Sequence, residues 1–299
     1  GTPGRKQVIK DLHGDVVRDI GELSAARPGQ DLQLSIDLRL QYLAHRELQR
    51  AIVSTGARAG TVVTLDSRTG EVLALVNHPS YNPNGRGRLK PGTTRNRALT
   101  DVFEPGSTMK PITLVAALES GLYAPDTIID TSPGHIQVGS KVLLDPVNYG
   151  QIPVARVVAK SSQVGIVKMA LNLDEQAVWR AFSRFGFGEN PGTGFPGESA
   201  GLLPYREEWR DIERVTLAYG YGLAVTPLQL ARAYGAIAND GVLVSPSLLK
   251  LDDGRPLERR PAVEPRLARQ VMDVLHGVTS EGGTAQSARV EGYSVAGKT

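Results

Sequence analysis

The feature that most constrains this chain is the run from Phe103 to Gly121, where a Pro105-Gly106 break leads into Ile112, Leu114, Val115, Ala116, Ala117 and Leu118. The spacing predicts a helix from Ser107 to a natural stop at Gly121. Such a helix is apolar on nearly every side, so it has to lie inside a domain with other elements wrapped around it. Its first turn is polar. Ser107 and Lys110 stand three apart and share one helix face, a hydroxyl beside an amine. Pro111 forfeits a backbone donor where the loss costs little. A serine is a weak nucleophile until a neighbouring base takes its proton. From this stretch alone two readings stand: a nucleophile with its base, or a capping serine with a solvated lysine.

The 299 residues, 40% of them hydrophobic, are enough for a sizeable core in one large domain or two modest ones. Lys and Arg exceed Asp and Glu by 34 to 31, and the resulting +3 is spread without a basic block, so nucleic acid is not indicated. The absence of cysteine excludes disulfides and thiolate metal sites. His13, His45, His78, His135 and His276 are scattered without metal-ligand spacing, so neither a metal nor another cofactor is expected. No apolar run approaches the roughly 20 residues that span a bilayer, and no secretory signal is present. Gly1 opens and Thr299 closes in mid-pattern, as in a piece of a longer protein whose anchor lies outside it.

Residues 1–30 read as strand, His-Gly-Asp turn and strand (Gln7 to Leu12, Asp15 to Ile20), the tail of a preceding pedestal or linker module. Asp37 is a plausible N-cap for an amphipathic helix carrying Leu40, Leu43, Leu48, Ala51 and Ile52, ending near Gly56. Gly60 to Leu65 and Glu71 to Val76 then read as a hairpin, and residues 77–102 as a loop. Short strand-like pieces follow at Ile136 to Val138 and Val142 to Leu144. Helices are expected over Val154 to Leu171, interrupted at Ser161-Ser162-Gln163, over Gln176 to Phe185, within Leu217 to Asn239, and over Arg266 to Val278. Val242 to Leu251 and Gly292 to Lys298 read as strands, the latter closing an antiparallel sheet against distant segments.

Pairs at a fixed spacing are cheap. Ser247-Leu248-Leu249-Lys250 repeats the Ser-x-x-Lys spacing, but in a strand-like run, where positions i and i+3 face opposite ways. It reads as structural. Ser80-Tyr81-Asn82 lies in a Pro-rich loop and reads as a turn.

Order discriminates better than spacing. Ser107-Thr-Met-Lys110, then Ser161-Ser162-Gln163, then Lys298-Thr299 resembles the elements S-x-x-K, S-x-N and K-[ST]-G of the penicillin-recognising serine transpeptidases. The surrounding words are similar to the transpeptidase domain of class B penicillin-binding proteins of the septal, cell-division type. They are Arg95-Asn-Arg97, Phe103-Glu-Pro-Gly-Ser-Thr-Met-Lys-Pro111, Asn148-Tyr-Gly150, Lys160-Ser-Ser-Gln-Val-Gly165, Tyr219-Gly-Tyr-Gly222, Val225-Thr-Pro-Leu-Gln-Leu-Ala231 and Val295-Ala-Gly-Lys-Thr299. The likeness covers residues 31–299. It departs at Gln163, which stands where the family usually carries Asn, and at Thr299, where the chain stops before the glycine of the third element.

The resemblance implies an α+β penicillin-binding/β-lactamase-like serine transpeptidase fold: an antiparallel sheet flanked by helices, and an all-helical subdomain with the active site at the interface. On this pattern residues 31–299 form a C-terminally incomplete transpeptidase domain. Ser107 would attack the D-alanyl-D-alanine bond of a peptidoglycan stem peptide while Lys110, kept neutral by burial and by Lys298, accepts its proton. Ser161 would relay that proton to the departing D-alanine. Gln163 would hold the peptide, Lys298 and Thr299 the terminal carboxylate, and Tyr221 would line the cleft. The Ser107 N–H would be one oxyanion donor, with the other beyond Thr299. An amine from a second stem would resolve the acyl-enzyme, and β-lactams would acylate Ser107. The same resemblance implies a periplasmic domain on an inner-membrane anchor, partnered by a SEDS-family glycosyltransferase and other divisome proteins. Glu189, Glu198, Glu207 and Glu208 do not lie in a β-lactamase pattern, so hydrolytic turnover is not expected. Alternatives are a non-catalytic β-lactam sensor or division scaffold, and a D,D-carboxypeptidase. A Ser-His-Asp hydrolase lacks both a G-x-S-x-G elbow and a convincing histidine.

Overall fold

Arg5–Lys10 (β1) and Val16–Ser24 (β2) pair antiparallel, as the strand–turn–strand pattern predicts. The turn is closed by the Asp11 carboxylate, which accepts the His13 and Asp15 N–H groups. The computed structural model describes residues 1–85, 87, 89–252 and 258–299. The chain divides into two units, Gly1–Leu34, which is this largely exposed hairpin, and Ser35–Thr299.

The second unit opens with α1 (Leu38–Thr55), which starts and stops where its caps dictate. The Asp37 carboxylate accepts the Arg39 N–H at 2.9 Å, and Gly56 ends the helix at φ 66°. Gly60–Leu65 (β3) and Val72–His78 (β4) form the expected hairpin beneath it. Gln41 of α1 stitches the layers together, bonding both the N–H (2.7 Å) and the carbonyl (2.9 Å) of Leu75. Within the segment read as loop, Arg97–Thr100 forms a short helix, α2, because the Asn77 side chain reaches from β4 to the Ala98 N–H.

A 3-10 turn, Gly106–Met109, leads into α3 (Lys110–Glu119). Every residue of α3 from Lys110 to Leu118 is buried, as the all-round apolar pattern requires. Four short strands follow: β5 (Ile128–Asp130), β6 (His135–Val138), β7 (Lys141–Leu144) and β8 (Gln151–Pro153), paired β5 with β8 and β6 with β7. Next come α4 (Val154–Ala159), α5 (Gln163–Asn172), α6 (Ala177–Arg184), α7 (Asp211–Ala218) and α8 (Pro227–Ala238). Val242–Val244 (β9) pairs with Arg259–Pro261 (β10), ahead of α9 (Pro265–Thr279). The main core joins α3 to α4, α5, α6, α8 and α9. Its side chains interlock closely enough that cutting a fully buried one such as Leu114 back to alanine costs about 2–5 kcal/mol.

The α+β class stands, with two corrections. Among the described residues the strands form five separate antiparallel pairs, and Gly292 to Lys298 is not a strand. That segment is held by α9 instead: the Val295 carbonyl accepts the Thr279 hydroxyl at 2.5 Å, and the Gly297 N–H bonds the Leu275 carbonyl at 3.4 Å. The strand expected to run to Leu251 stops at Val244, and Ser247 continues only as a single parallel bridge to Glu71.

Candidate active site

Ser107 does not sit inside a regular α-helix. Pro105 and Gly106 (φ 58°) force a reversal, and Pro111, lacking an N–H, leaves the Ser107 carbonyl to the Lys110 N–H in a 3-10 closure. The turn is clamped to a neighbouring loop. The Gly106 N–H donates to the Gly220 carbonyl at 2.9 Å, and a Cβ on Gly220 (φ 91°) would lie 1.9 Å from the Gly106 carbonyl oxygen, so only glycine fits. From behind, the Tyr234 hydroxyl on α8 donates to the Thr108 carbonyl at 2.7 Å.

Lys110 is 3% exposed, and its amine donates to Ser161, at 2.6 Å to the carbonyl and 3.1 Å to Oγ. Burial, aided by the charge of Lys298 and opposed by the Asp145 carboxylate, pushes it from 10.5 down to about 7. A lysine in that state is half neutral at physiological pH and can accept a proton. Ser107, Lys110, Gln163 and Tyr221 share one cavity of about 650 Å³. The expected hydrogen bond between Ser107 and Lys110 is not made: the amine's hydrogen bonds go to Ser161, while Ser107 lines the same cavity as Lys110.

The helix interruption that presents Ser161 is a specific structure. The Ser162 N–H bonds the Val157 carbonyl (2.8 Å) and the Ser161 N–H the Val158 carbonyl (3.0 Å), a Schellman closure of α4. Glycine is the usual occupant of its left-handed position; here Ser161 holds it at φ 57°. Ser162 then caps α5, accepting the Gly165 N–H at 2.9 Å.

Asp145 is the residue that sequence reasoning missed. It is buried, and its carboxylate accepts the Ser162 hydroxyl and the Gln163 N–H, both at 2.5 Å, and the Val164 N–H at 3.2 Å. An anion on the first N–H groups of a helix is favoured by the orphan donors and the dipole together. It fixes the start of α5 and thereby the Ser161–Gln163 turn. Standing before Pro146 at a strand end, it carries no signal beyond an ordinary turn residue.

Neither Lys298 nor Thr299 lines this cavity. The Lys298 amine, pushed down to about 8 by burial, donates to the Thr299 carbonyl, and Thr299 Oγ1 lies 2.9 Å from Thr284 Oγ1. Lys298 lines a neighbouring cavity of about 980 Å³ with Thr108 and Tyr234. Tyr221 is half-exposed and stacks at a tilt on Tyr219, ring centres 5.6 Å apart. Of the glutamates considered for water activation, Glu189 pairs with Arg260 at 2.5 Å and Glu198 accepts from Thr193; neither lines the cleft.

With this geometry in view, likenesses to known proteins are specific. The family model described as penicillin binding protein transpeptidase domain matches residues 60–299. Over all 299 residues the sequence is 40% identical to the peptidoglycan D,D-transpeptidase FtsI of Escherichia coli K12, covering 50% of that protein. It is 39% identical to the probable peptidoglycan D,D-transpeptidase PenA of Neisseria flavescens, covering 74% of it. In general the chain spans about half the length of the curated relatives it matches. Among solved structures, the apo transpeptidase domain of Burkholderia pseudomallei penicillin-binding protein 3 superposes with a TM-score of 0.81 at 40% identity, over 91% of this chain and 78% of that one.

Proposed function

The chain belongs to the penicillin-binding protein transpeptidase family, and from that premise we propose that it acts as a serine D-alanyl-D-alanine transpeptidase cross-linking peptidoglycan stem peptides during septal wall synthesis. One observation carries the reading: a buried lysine amine, held at about 7, that touches Ser161 and shares a cavity with Ser107. Neutral Lys110 takes the Ser107 proton as Oγ attacks the penultimate D-alanine carbonyl. The C–N bond breaks, and the proton passes through Ser161 to the departing D-alanine nitrogen. Gln163 receives the donor peptide's amide, Lys298 and Thr299 its terminal carboxylate, and Tyr221 forms a wall. The Ser107 N–H supplies one oxyanion donor. A β-lactam acylates the same oxygen with cleavage of its ring amide.

By the same premise the domain works outside the cytoplasmic membrane, on an anchor and beside a SEDS-family glycosyltransferase and other division proteins. Among the described residues no helix is long and apolar enough to cross a membrane. Residues 1–30 belong, on this reading, to a preceding module. The relatives' names favour transpeptidase over sensor or scaffold. The test is covalent labelling by a fluorescent penicillin: Ser107→Ala removes it completely, and labelling that persisted in this variant would overturn the assignment.

A further inference from the structure

The cleft contains a group that the chemistry above leaves unused. Among its described lining residues Glu104 is the one acid, exposed and three residues before Ser107. Its Oε1 accepts the Gly222 N–H at 3.0 Å. With the Gly106 to Gly220 hydrogen bond and the Phe103–Val225 bridge, this contact ties residues 103–106 to the loop that carries Tyr221. The carboxylate is therefore held at the mouth of the nucleophile's turn rather than sweeping through solvent. The other ionisable side chains facing it across the cavity, Lys110 and Lys141, are basic, Tyr219 and Tyr221 are phenols, and Lys298 is near enough to act on Lys110. An incoming ammonium is repelled by Lys141 and Lys298; a fixed carboxylate beside Ser107 offsets the repulsion and gives the cation one place to dock.

We propose that Glu104 receives the ammonium group of the acceptor, so that the acyl group on Ser107 is built to be taken by an amine-bearing peptide rather than by water. This rests on the acyl-transfer reading above. The docked ammonium gives one proton to the Glu104 carboxylate, and the freed nitrogen lone pair attacks the acyl carbonyl. The C–N bond forms as the C–Oγ bond breaks. A second proton leaves the nitrogen through neutral Lys110 to the Ser107 oxygen, the third stays on the new amide, and Glu104 returns its proton to solvent.

A bland role, fastening the loop, is separable because glutamine at position 104 can still accept the Gly222 N–H through its carbonyl while losing the charge. The protein is acylated with a D-alanyl thioester donor in the presence of Nα-acetyl-lysine, a mimic of an amine acceptor. The amide-to-acid product ratio is then read by mass spectrometry. Both products come from one acyl-enzyme, so a change in acylation rate leaves the ratio untouched. The ratio falls about tenfold or more in Glu104→Gln and is largely kept in Glu104→Asp. An unchanged ratio in Glu104→Gln overturns the proposal. Should that variant not fold, the wild-type ratio is followed against ionic strength: an ammonium docked on a carboxylate makes it fall as salt rises, and a flat response counts against Glu104. Failure of the wild type to form either product or a penicillin adduct would instead sink the acyl-transfer reading itself.

Discussion

Two Ser-x-x-Lys segments in this protein have the same spacing and opposite fates. At Ser107–Lys110 the backbone coils, so both side chains turn toward one buried space, and the amine loses much of its affinity for a proton. At Ser247–Lys250 the chain bends at Leu248 without coiling into a helix, and Ser247 is tied to its neighbours. The Ser247 N–H bonds Gly70 (2.9 Å), its carbonyl accepts from Val72 (2.9 Å) and from the Ser35 hydroxyl (3.0 Å), and its own hydroxyl donates to Leu249 (2.7 Å). Lys250 is exposed. Spacing alone carries no chemistry; coil geometry and desolvation supply it.

Replacing each lysine by methionine breaks the comparison most sharply. Lys110→Met should slow acylation by a β-lactam by about 10²–10⁴-fold, the worth of a positioned base, whereas Lys250→Met should leave the rate within twofold in stopped-flow assays. Next in size is the pH profile. Acylation needs the neutral amine, so its rate climbs as pH rises through about 7 and levels off above it. Removing the neighbouring charge with Lys298→Met makes the Lys110 ammonium easier to keep, which moves the rising limb to higher pH. Burial, the larger cause, remains, so the midpoint stays below the ordinary 10.5. A limb that stayed in place would show that Lys298 does not act on Lys110. Smallest is Ser247→Ala, which deletes the two hydrogen bonds that this side chain shares with the Leu249 backbone and should lower unfolding stability by about 1–3 kcal/mol in urea titrations while penicillin labelling continues.

Much of the fold was legible because its punctuation is local. Asp37 and Gly56 bracket α1, the Asp66 turn sets the hairpin, and the break at Ser161–Gln163 marks a real helix end. Other elements were hidden. α7 is eight residues long with three scattered apolar anchors, Ile212, Val215 and Leu217, and lies in front of the glycine-rich turn that drew attention to α8. β5 and β8 span three residues each, too few to display a period. The apolar alternation near Val295 suggested a strand, but side chains of α9 occupy the carbonyl a ladder would use. In the site, Ser107 and Lys110 are near in sequence and could be paired on paper. The bonds that define the arrangement, Lys110 to Ser161 and Asp145 to the head of α5, join residues far apart in the chain, and no local pattern encodes them.

The left-handed Ser161 sets two kinds of selection against each other. Glycine at that position would relieve a strain of about 1–2 kcal/mol, set against an entropic cost of about 0.5–1 kcal/mol, and would keep the Schellman closure intact. It would also delete the hydroxyl that touches Lys110. A library sorted for heat resistance would therefore tolerate or enrich Ser161→Gly, and the same library sorted for growth would purge it. On the mechanism proposed above, the serine serves the lysine at a position where folding alone would favour glycine.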